Sequence, residues 1–557
     1  MNFNNGNDNN NNKNNDNYVR AVRGGKYSLL SFRSIYNSYM DCRKRKRGTI
    51  NALRFEYDVL GGLFDLAHEL QRGTYQLSRS VCFITRNPKL REIFAADFRD
   101  RIVHHLIVRE LEKYWEPRFI FDSYACRRNK GIHAAASRLQ QFMLKVSKSQ
   151  KIPAYFIQLD IRSFFMSIDK SILFSIFEKK NIQQELLNLL YQTIFHDCTQ
   201  NYFFRGNREL LDQVPAHKSL FKVDKGKGLP IGNLTSQFFA NVYLNELDQF
   251  VKHSLKCRFY LRYVDDFLLL SANPEELYEW KDRIEIFLKN SLALKLKSGD
   301  KVRRVSEGAD FLGYIIRPGY ILVRRRVVNN LKYKVALFKE KMISVTTVPV
   351  DCRCFSNGLA AINCNIAYRI MTMNPELVLE LRQVLSSYLG HFKHAQSHRL
   401  VQFLFAKHLW LNTIYQYLNC CIHLRYMPKI EFRSLRAQIR FFRCRLEGML
   451  IFCRIGNFIE IFDNDAMVVH KFFGGKLKKG FRGMKIVLGF PVTMKRDYLL
   501  KAMANGYSVA FIEEGQPGKW IKHRYVSMII QQTDETVNVT QTLQPSKKGK
   551  QHDKNTD

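Results

Sequence analysis

Two adjacent carboxylates, Asp265 and Asp266, interrupt the run Arg262-Tyr263-Val264-Asp265-Asp266-Phe267-Leu268-Leu269-Leu270. The flanks, Phe259-Tyr260-Leu261 and Phe267 to Leu270, are residue types that favour a pleated, half-buried strand. The pattern predicts a β-hairpin whose turn pushes two acids out of a sheet. Crowded acids are costly unless they hold something cationic, and a pair of divalent metals is the simplest occupant. A solvated Asp-Asp turn is the competing reading. A third acid, Asp160, ends the apolar strand Ala154-Tyr155-Phe156-Ile157-Gln158-Leu159-Asp160. A strand-end acid plus a hairpin pair is a ligand set that clamps two ions about 4 Å apart for in-line phosphoryl transfer. In that chemistry one ion lowers the pKa of a 3′-hydroxyl and the other neutralises a triphosphate and its departing pyrophosphate.

The elements around these acids follow from local pattern. Between the two acid strands lies Lys225-Gly226-Lys227-Gly228-Leu229-Pro230-Ile231-Gly232-Asn233-Leu234-Thr235-Ser236-Gln237, a Gly-rich loop opening a helix. Its glycines permit close backbone approach to a nucleotide or template strand. It is not a P-loop, because the Gly-Lys-Ser/Thr ending is absent. Upstream, Leu53, Tyr57, Leu60, Phe64, Ala67 and Leu70 recur at helical spacing. The basic run at 43–47 reads either as a solvated face or as a nucleic-acid contact. An extended basic stretch at 87–94 precedes an amphipathic helix from Phe98 to about Tyr114. His104 and His105 read as helix packing and capping, since no third metal ligand is spaced nearby. Helices at 385–418 carry His391, His394 and His398, which are better read as polar groups than as zinc ligands. Cys352, Cys354 and Cys364 are likewise a weak zinc signal.

Composition narrows the partner. The chain has 557 residues, 88 Lys+Arg against 50 Asp+Glu, and a formal net charge of +38. That excess suits a polyanion, nucleic acid first and an anionic membrane surface second. No apolar stretch is long enough for a membrane span, and the Asn-rich start lacks a signal-peptide core. The 12 cysteines are scattered, which fits reduced thiols in a cytoplasm.

Taken in order, these pieces resemble a reverse transcriptase of the palm-and-fingers polymerase class over residues 28–400. The motifs that carry the resemblance are the segment 89–101, Asp160 to Phe165, Leu229 to Gln237, Tyr263 to Asp266, Lys301, and Phe311-Leu312-Gly313-Tyr314. The resemblance implies that Asp160 and Asp265 bind two Mg²⁺ ions, with Mn²⁺ as a substitute, that Asp266 supports them, and that the Ile161 carbonyl is a further ligand. It implies that Phe165 is a steric gate against ribonucleotides. Lys89 and Arg91 would hold the incoming deoxynucleoside triphosphate, Lys301 would protonate pyrophosphate, and residues 311–314 would grip the primer. Ile231 and Gly232 would lie at the nucleotide. Many such enzymes have Gln where Ile231 stands, and Ile cannot donate its hydrogen bonds. The motif instead resembles enzymes of diversity-generating retroelements, which misincorporate opposite template adenines.

A second resemblance lies downstream. Met449 to Phe462, Ile486 to Pro491 and Gly506 to Glu514 form an α+β pattern similar to the mismatch-recognition domain of MutS proteins. In that family a Phe-x-Glu enters the minor groove at a mispair. Phe458 and Glu460 match it, and two positions apart on a strand they share a face. An ordinary core strand in a docking module is the alternative.

The expected fold is therefore α+β: a right-hand polymerase with fingers, palm and helical thumb, followed by a small α+β MutS domain I-like module. The expected divisions are a disordered tail at 1–25, N-terminal helices and fingers at 26–150, palm at 151–335, thumb at 336–430, the MutS-like module at 431–530, and a disordered tail at 531–557. The expected activity is error-prone RNA-directed DNA synthesis in a diversity-generating retroelement. An antiphage defence enzyme working with a non-coding RNA is the first alternative, and an RNA-binding scaffold the second. Expected partners are template RNA, cDNA/DNA duplex and a small basic accessory protein or non-coding RNA, with no membrane, in the cytoplasm.

Overall fold

The structure is a computed structural model that describes residues 29–44, 46–86, 89–299, 301–351, 363–426, 431–480 and 484–533. The tail expected at 1–25 lies outside the described residues, as do Asn87, Pro88, Cys352 and Cys354 and the side chain of Cys364. The chain forms two compact units. One runs to Arg324 and takes in His394–Gln396; the other runs from Arg325 to Lys393 and resumes at Ser397. The break falls where a strand ends at Val323 and a helix begins at Arg325, ahead of the 335/336 boundary read from sequence.

The strands of the first unit are β1 (Ser80–Thr85), β2 (Arg91–Ala95), β3 (Tyr155–Asp160), β4 (Tyr202–Phe204), β5 (Phe259–Tyr263), β6 (Asp266–Ser271), β7 (Arg303–Arg304), β8 (Ala309–Phe311), β9 (Tyr314–Ile316) and β10 (Ile321–Val323). They make three sheets, ordered β2-β1-β4, β5-β6-β3-β7 and β10-β9-β8. Helix Leu234–Gln249 is the hub. Phe238, Phe239, Val242, Tyr243, Leu244 and Leu247 are all buried, so it is apolar nearly all round and sits inside the core. It packs against helix Phe98–Trp115, whose Ile102, Val103, Leu106 and Ile107 are buried.

The single helical run expected from Leu53 to Leu70 is two helices, Ile50–Glu56 and Val59–Arg72. Asp58 caps the second by accepting from the Gly61 N–H at 3.0 Å. Gly73, at φ 71°, closes it in the left-handed region. The break rotates the pattern: Leu63, Leu66, Ala67 and Leu70 are buried, while Leu53, Tyr57, Leu60 and Phe64 are exposed.

The second unit contains helices Arg325–Met342, Pro375–Phe392, His398–Lys407, Leu409–Ile414, Leu435–Arg443, Asp463–Phe473 and Lys495–Ala504. Its strands are β11 (Ile343–Asp351), β12 (Asn363–Thr372), β13 (Tyr415–Leu418), β14 (Cys421–Leu424), β15 (Met449–Ile455), β16 (Phe458–Phe462), β17 (Lys478–Lys479), β18 (Ile486–Pro491), β19 (Ser508–Glu514) and β20 (Arg524–Gln532). Eight of them form one sheet, β11-β12-β20-β19-β15-β16-β18-β17. The helical thumb read from sequence is thus interrupted by the antiparallel pair β11–β12, which extends the sheet of the C-terminal module. The cause is local composition: Ile343-Ser-Val-Thr-Thr-Val-Pro-Val350 is rich in β-branched residues, which lose rotamer freedom in a helix and pack well on a pleated surface. Tyr368 on β12 is fully buried and donates to the Met503 carbonyl at 2.6 Å. Gln531 and Gln532, placed in the tail by the sequence reading, pair with Arg369 and Tyr368.

Candidate active site

The tip of the β5–β6 hairpin is built by a buried cation. Arg262, fully buried, pairs with equally buried Asp248 on the hub helix at 2.6 Å. Its Nη1 also donates to the Val264 carbonyl at 3.0 Å and to Asn241 Oδ1 at 3.3 Å. Tyr260 donates to the same Asp248 at 2.8 Å. Val264 has φ 56°, strained for a β-branched residue, and the Arg262 bond helps to hold it there. The turn therefore sets Asp265 at the tip of the hairpin and Asp266 at the first position of β6. Arg262 was not singled out from sequence. The available signal was a lone charge between Leu261 and Tyr263 in an apolar strand, which demands a buried partner.

The three acids come together by register. Asp160, ending β3, lies opposite Asp266, beginning β6. Opposed residues of an antiparallel pair share a face. The Ile161 N–H donates to the Asp265 carbonyl at 3.3 Å, which ties the residue after Asp160 to the hairpin tip. Burial, then the Asp160 charge, raises the Asp265 carboxyl to about 6. Burial, together with Asp160 and Asp265, raises Asp266 to about 7, although Gln158 Nε2 donates to it at 3.0 Å. Asp160 is more open and lies 3.7 Å from Lys297 Nζ. Among the described residues, no three His, Cys, Asp or Glu side chains close into a metal-ligand cluster. The donor set nonetheless fits divalent cations: hard carboxylate oxygens crowd where burial and like charge disfavour their ionised forms.

The segment after Asp160 folds back sharply. Ser163 has φ 50° and caps the short helix Phe164–Ser167. Phe165 is half-buried, its ring edge-on to Phe164 at 5.4 Å, and its carbonyl accepts from the Leu229 N–H at 2.8 Å. The Gly-rich loop thus rests on the Phe165 turn. Its next residues dock on β2: the Ile231 carbonyl accepts from the Phe94 N–H at 2.9 Å, and Asn233 Oδ1 accepts from the Ala96 N–H at 3.1 Å. A Cβ on Gly232, at φ 127°, would sit 2.8 Å from the Phe94 carbonyl oxygen. The close approach that this glycine permits is to the β2 backbone, where the sequence reading expected a nucleotide or template. Arg91 opens β2 and is exposed; its charge reaches Asp265 and lowers that carboxyl's affinity for a proton. Lys89 is exposed two residues earlier.

Phe311 and Tyr314 face each other across a two-residue turn, Leu312 and Gly313, both in the left-handed region. Both aromatic residues are fully buried. Tyr314's hydroxyl lies 2.8 Å from His133 Nδ1, and the His133 ring stacks on His394 at 3.8 Å. Residues 295–297 pair along the end of β3, with the Lys297 N–H donating to the Asp160 carbonyl at 2.9 Å. Lys297 is thereby the lysine placed beside Asp160. Lys301 is exposed and has no ion pair among the described residues.

In the second unit, Phe458 stands at the β15–β16 turn and is 52% exposed, whereas Glu460 is half-buried opposite Gly489 and Cys453. The pair shares one strand face as expected, but only the Phe is prominent.

Comparison with known proteins bears on both units. Residues 85–316 match the family model of reverse transcriptase (RNA-dependent DNA polymerase), and residues 438–537 match MutS domain I. Protein YkfC of Escherichia coli (strain K12) is 25% identical over 302 residues, 48% of this chain and 74% of that protein. The group II intron-encoded protein LtrA of Lactococcus lactis subsp. cremoris is 23% identical over 320 residues, 45% of this chain and 49% of that protein. The chain thus spans about half the length of the intron-encoded relative it matches. Apo telomerase from Candida tropicalis shares 13% identity at a TM-score of 0.31, over 48% of this chain and 60% of that one, a likeness too slight to bear on the fold. No helix among the described residues is long and apolar enough to cross a membrane.

Proposed function

We propose that the chain is an RNA-directed DNA polymerase that copies a template RNA into cDNA. The observation that carries this reading is the meeting of Asp160, Asp265 and Asp266 at one end of a single sheet, with Arg91 in electrostatic range. Asp160, Asp265 and the Ile161 carbonyl would hold two Mg²⁺ ions, or Mn²⁺, with Asp266 in support. Bound there, the ions lower the pKa of a primer 3′-hydroxyl and neutralise the triphosphate. Arg91 and Lys89 hold the triphosphate as cations. Phe165, fixed by the Leu229 N–H, stands against the sugar 2′ position. The hairpin 311–314 supports the primer, and Lys301 or Lys297 supplies a proton to pyrophosphate. Primer extension with Mg²⁺ on an RNA template tests the reading, with Asp265→Ala as control. Extension by the parent and none by the variant is expected; equal extension, or none by the parent, overturns it.

The same reading extends to accuracy and partners. Ile231 offers no side-chain hydrogen bond at the docked loop, which supports error-prone copying of the diversity-generating kind. Phe458 would wedge into a mispaired duplex beside Glu460, and a small basic protein or non-coding RNA would complete the assembly. The cysteines of the described residues are unbonded, which suits the cytoplasm.

A further inference from the structure

One large aromatic side chain in the second unit belongs to no core. Trp520 is 58% exposed on the loop between β19 and β20. An exposed indole offers a broad apolar face with a polar edge, a surface suited to stacking on a planar ring. The loop that presents it is held from within and from below. The Gly515 N–H donates to the His523 carbonyl at 2.8 Å, and the His523 N–H donates to Gln516 at 2.9 Å. Glu431 accepts from the Lys519 N–H at 2.8 Å, and Lys522 pairs with Glu514 at 2.9 Å. A Cβ on Gly518 would fall 2.4 Å from the Ile521 carbonyl oxygen, so the turn is tight. The backbone that presents Trp520 is thus held on both sides of it.

Its surroundings are cationic. Arg433 and Lys519 lie 5.9 and 5.4 Å from the ring centre. Arg436 and Arg440 follow on helix Leu435–Arg443, four positions apart, both exposed on its outer face. None of Arg433, Arg436 and Arg440 has an acidic partner among the described residues, whereas Arg443 on the next turn pairs with Asp465 at 3.1 Å. A row of unpaired guanidinium groups leading to an exposed indole is complementary to a phosphate backbone with a free base at one end.

We infer that Trp520, with Arg433, Lys519, Arg436 and Arg440, forms a binding surface for single-stranded nucleic acid: the indole stacks an unpaired base and the arginines take the phosphates. The surface does not depend on the mismatch reading of Phe458. β15 and β19 are parallel, so the β15–β16 turn and the Trp520 loop leave the same end of the sheet. The Gly456 N–H of that turn also supports the Glu514 carboxylate at the base of the loop.

The test is ultraviolet crosslinking of the full-length protein to a single strand of about 12 nucleotides carrying 5-bromouracil, within the usual site size, with adducts mapped by peptide mass spectrometry. The expected adduct lies on the Trp520 peptide. Trp520→Ala should abolish it and Trp520→Phe retain it, while Arg433→Gln with Arg436→Gln should lower its yield about tenfold. Primer extension by the same variants should be unchanged. Absence of an adduct on that peptide, a yield indifferent to the arginines, or a higher yield from blunt duplex than from single strand would each overturn the inference.

Discussion

The Arg262 guanidinium donates to the Val264 carbonyl at 3.0 Å from a position without solvent exposure, and so couples a buried ion pair to the turn that carries Asp265. The pair has two separable consequences. Arg262→Ala strands the Asp248 carboxylate in the core and should cost about 3–5 kcal/mol. Arg262→Met with Asp248→Leu removes both charges and should recover much of the melting temperature. The Val264 carbonyl stays unsupported in that double variant, so primer extension should remain tenfold or more below the parent. Melting curves and single-turnover rates on one preparation separate the effects. A double variant that extends primers at the parental rate would show that Arg262 does not position the turn.

Ile231 makes the sharpest claim on accuracy. Its carbonyl already anchors β2 through the Phe94 N–H, so a new side chain can be introduced without undoing the docking. Ile231→Gln restores an amide donor and should lower misincorporation opposite template adenine several-fold, since discrimination is a difference of contacts. Sequencing of cDNA made by both forms from one template reads this out. An unchanged error spectrum would sink the error-prone reading and leave the polymerase reading intact.

Much of this site was legible because strand period and acid placement are local properties. The apolar runs on either side of Asp265 and Asp266, and the acid ending the Tyr155 strand, mark two strands that finish in carboxylates. What stayed hidden depends on distant partners. Arg262 has its meaning only through Asp248 on the hub helix, and Lys297 gains its position because residues 295–297 pair with the end of β3. Gly232 is the instructive case. A glycine in a nucleotide-side loop suggests room for a ligand, but the Phe94 carbonyl fills that room. The β-branched run of β11 is a local signal for a strand, but the place of the β11–β12 pair in the larger sheet is not: β12 pairs with β20, which no window around it contains.

His104 carries a pH dependence. It is buried with neither ring nitrogen hydrogen-bonded, and burial, then the nearby His105, Arg101 and His196 charges, depresses its pKa to about 3. The unfolded imidazole takes a proton near pH 6.5, and the folded one does not until far lower. Stability from this group is therefore complete above about pH 6.5 and falls as pH drops toward 3, by roughly 2–3 kcal/mol at pH 4.5. His104→Leu should flatten the loss of melting temperature between pH 7 and pH 5. Asp100, raised by burial, titrates in the opposite sense but is common to both proteins, so the difference between them isolates His104. Parallel curves for parent and variant would contradict the assignment.

The shared sheet makes a prediction about truncation. Cutting the chain after residue 430 removes β20, and with it the partners of Tyr368 to Thr372 on β12. It also removes the Met503 carbonyl that Tyr368 donates to. The remaining β12 edge would carry Tyr368 and Met371, both buried in the intact chain, beside unpaired N–H and C=O groups. An exposed apolar edge of this kind recruits other chains. The truncated protein should therefore aggregate at micromolar concentration, although residues 85–316, which match the reverse transcriptase family model, are untouched. A second variant distinguishes an edge effect from general loss of stability. Ile343 pairs with Met371, so the ends of the hairpin are adjacent and a short Gly-Ser link can replace residues 343–372. Truncation combined with that replacement should restore a monodisperse species in light scattering. If truncation after residue 430 alone gives a monomer with the parental melting temperature, the hairpin does not bind helices Arg325–Met342 and Pro375–Phe392 to the C-terminal sheet in solution.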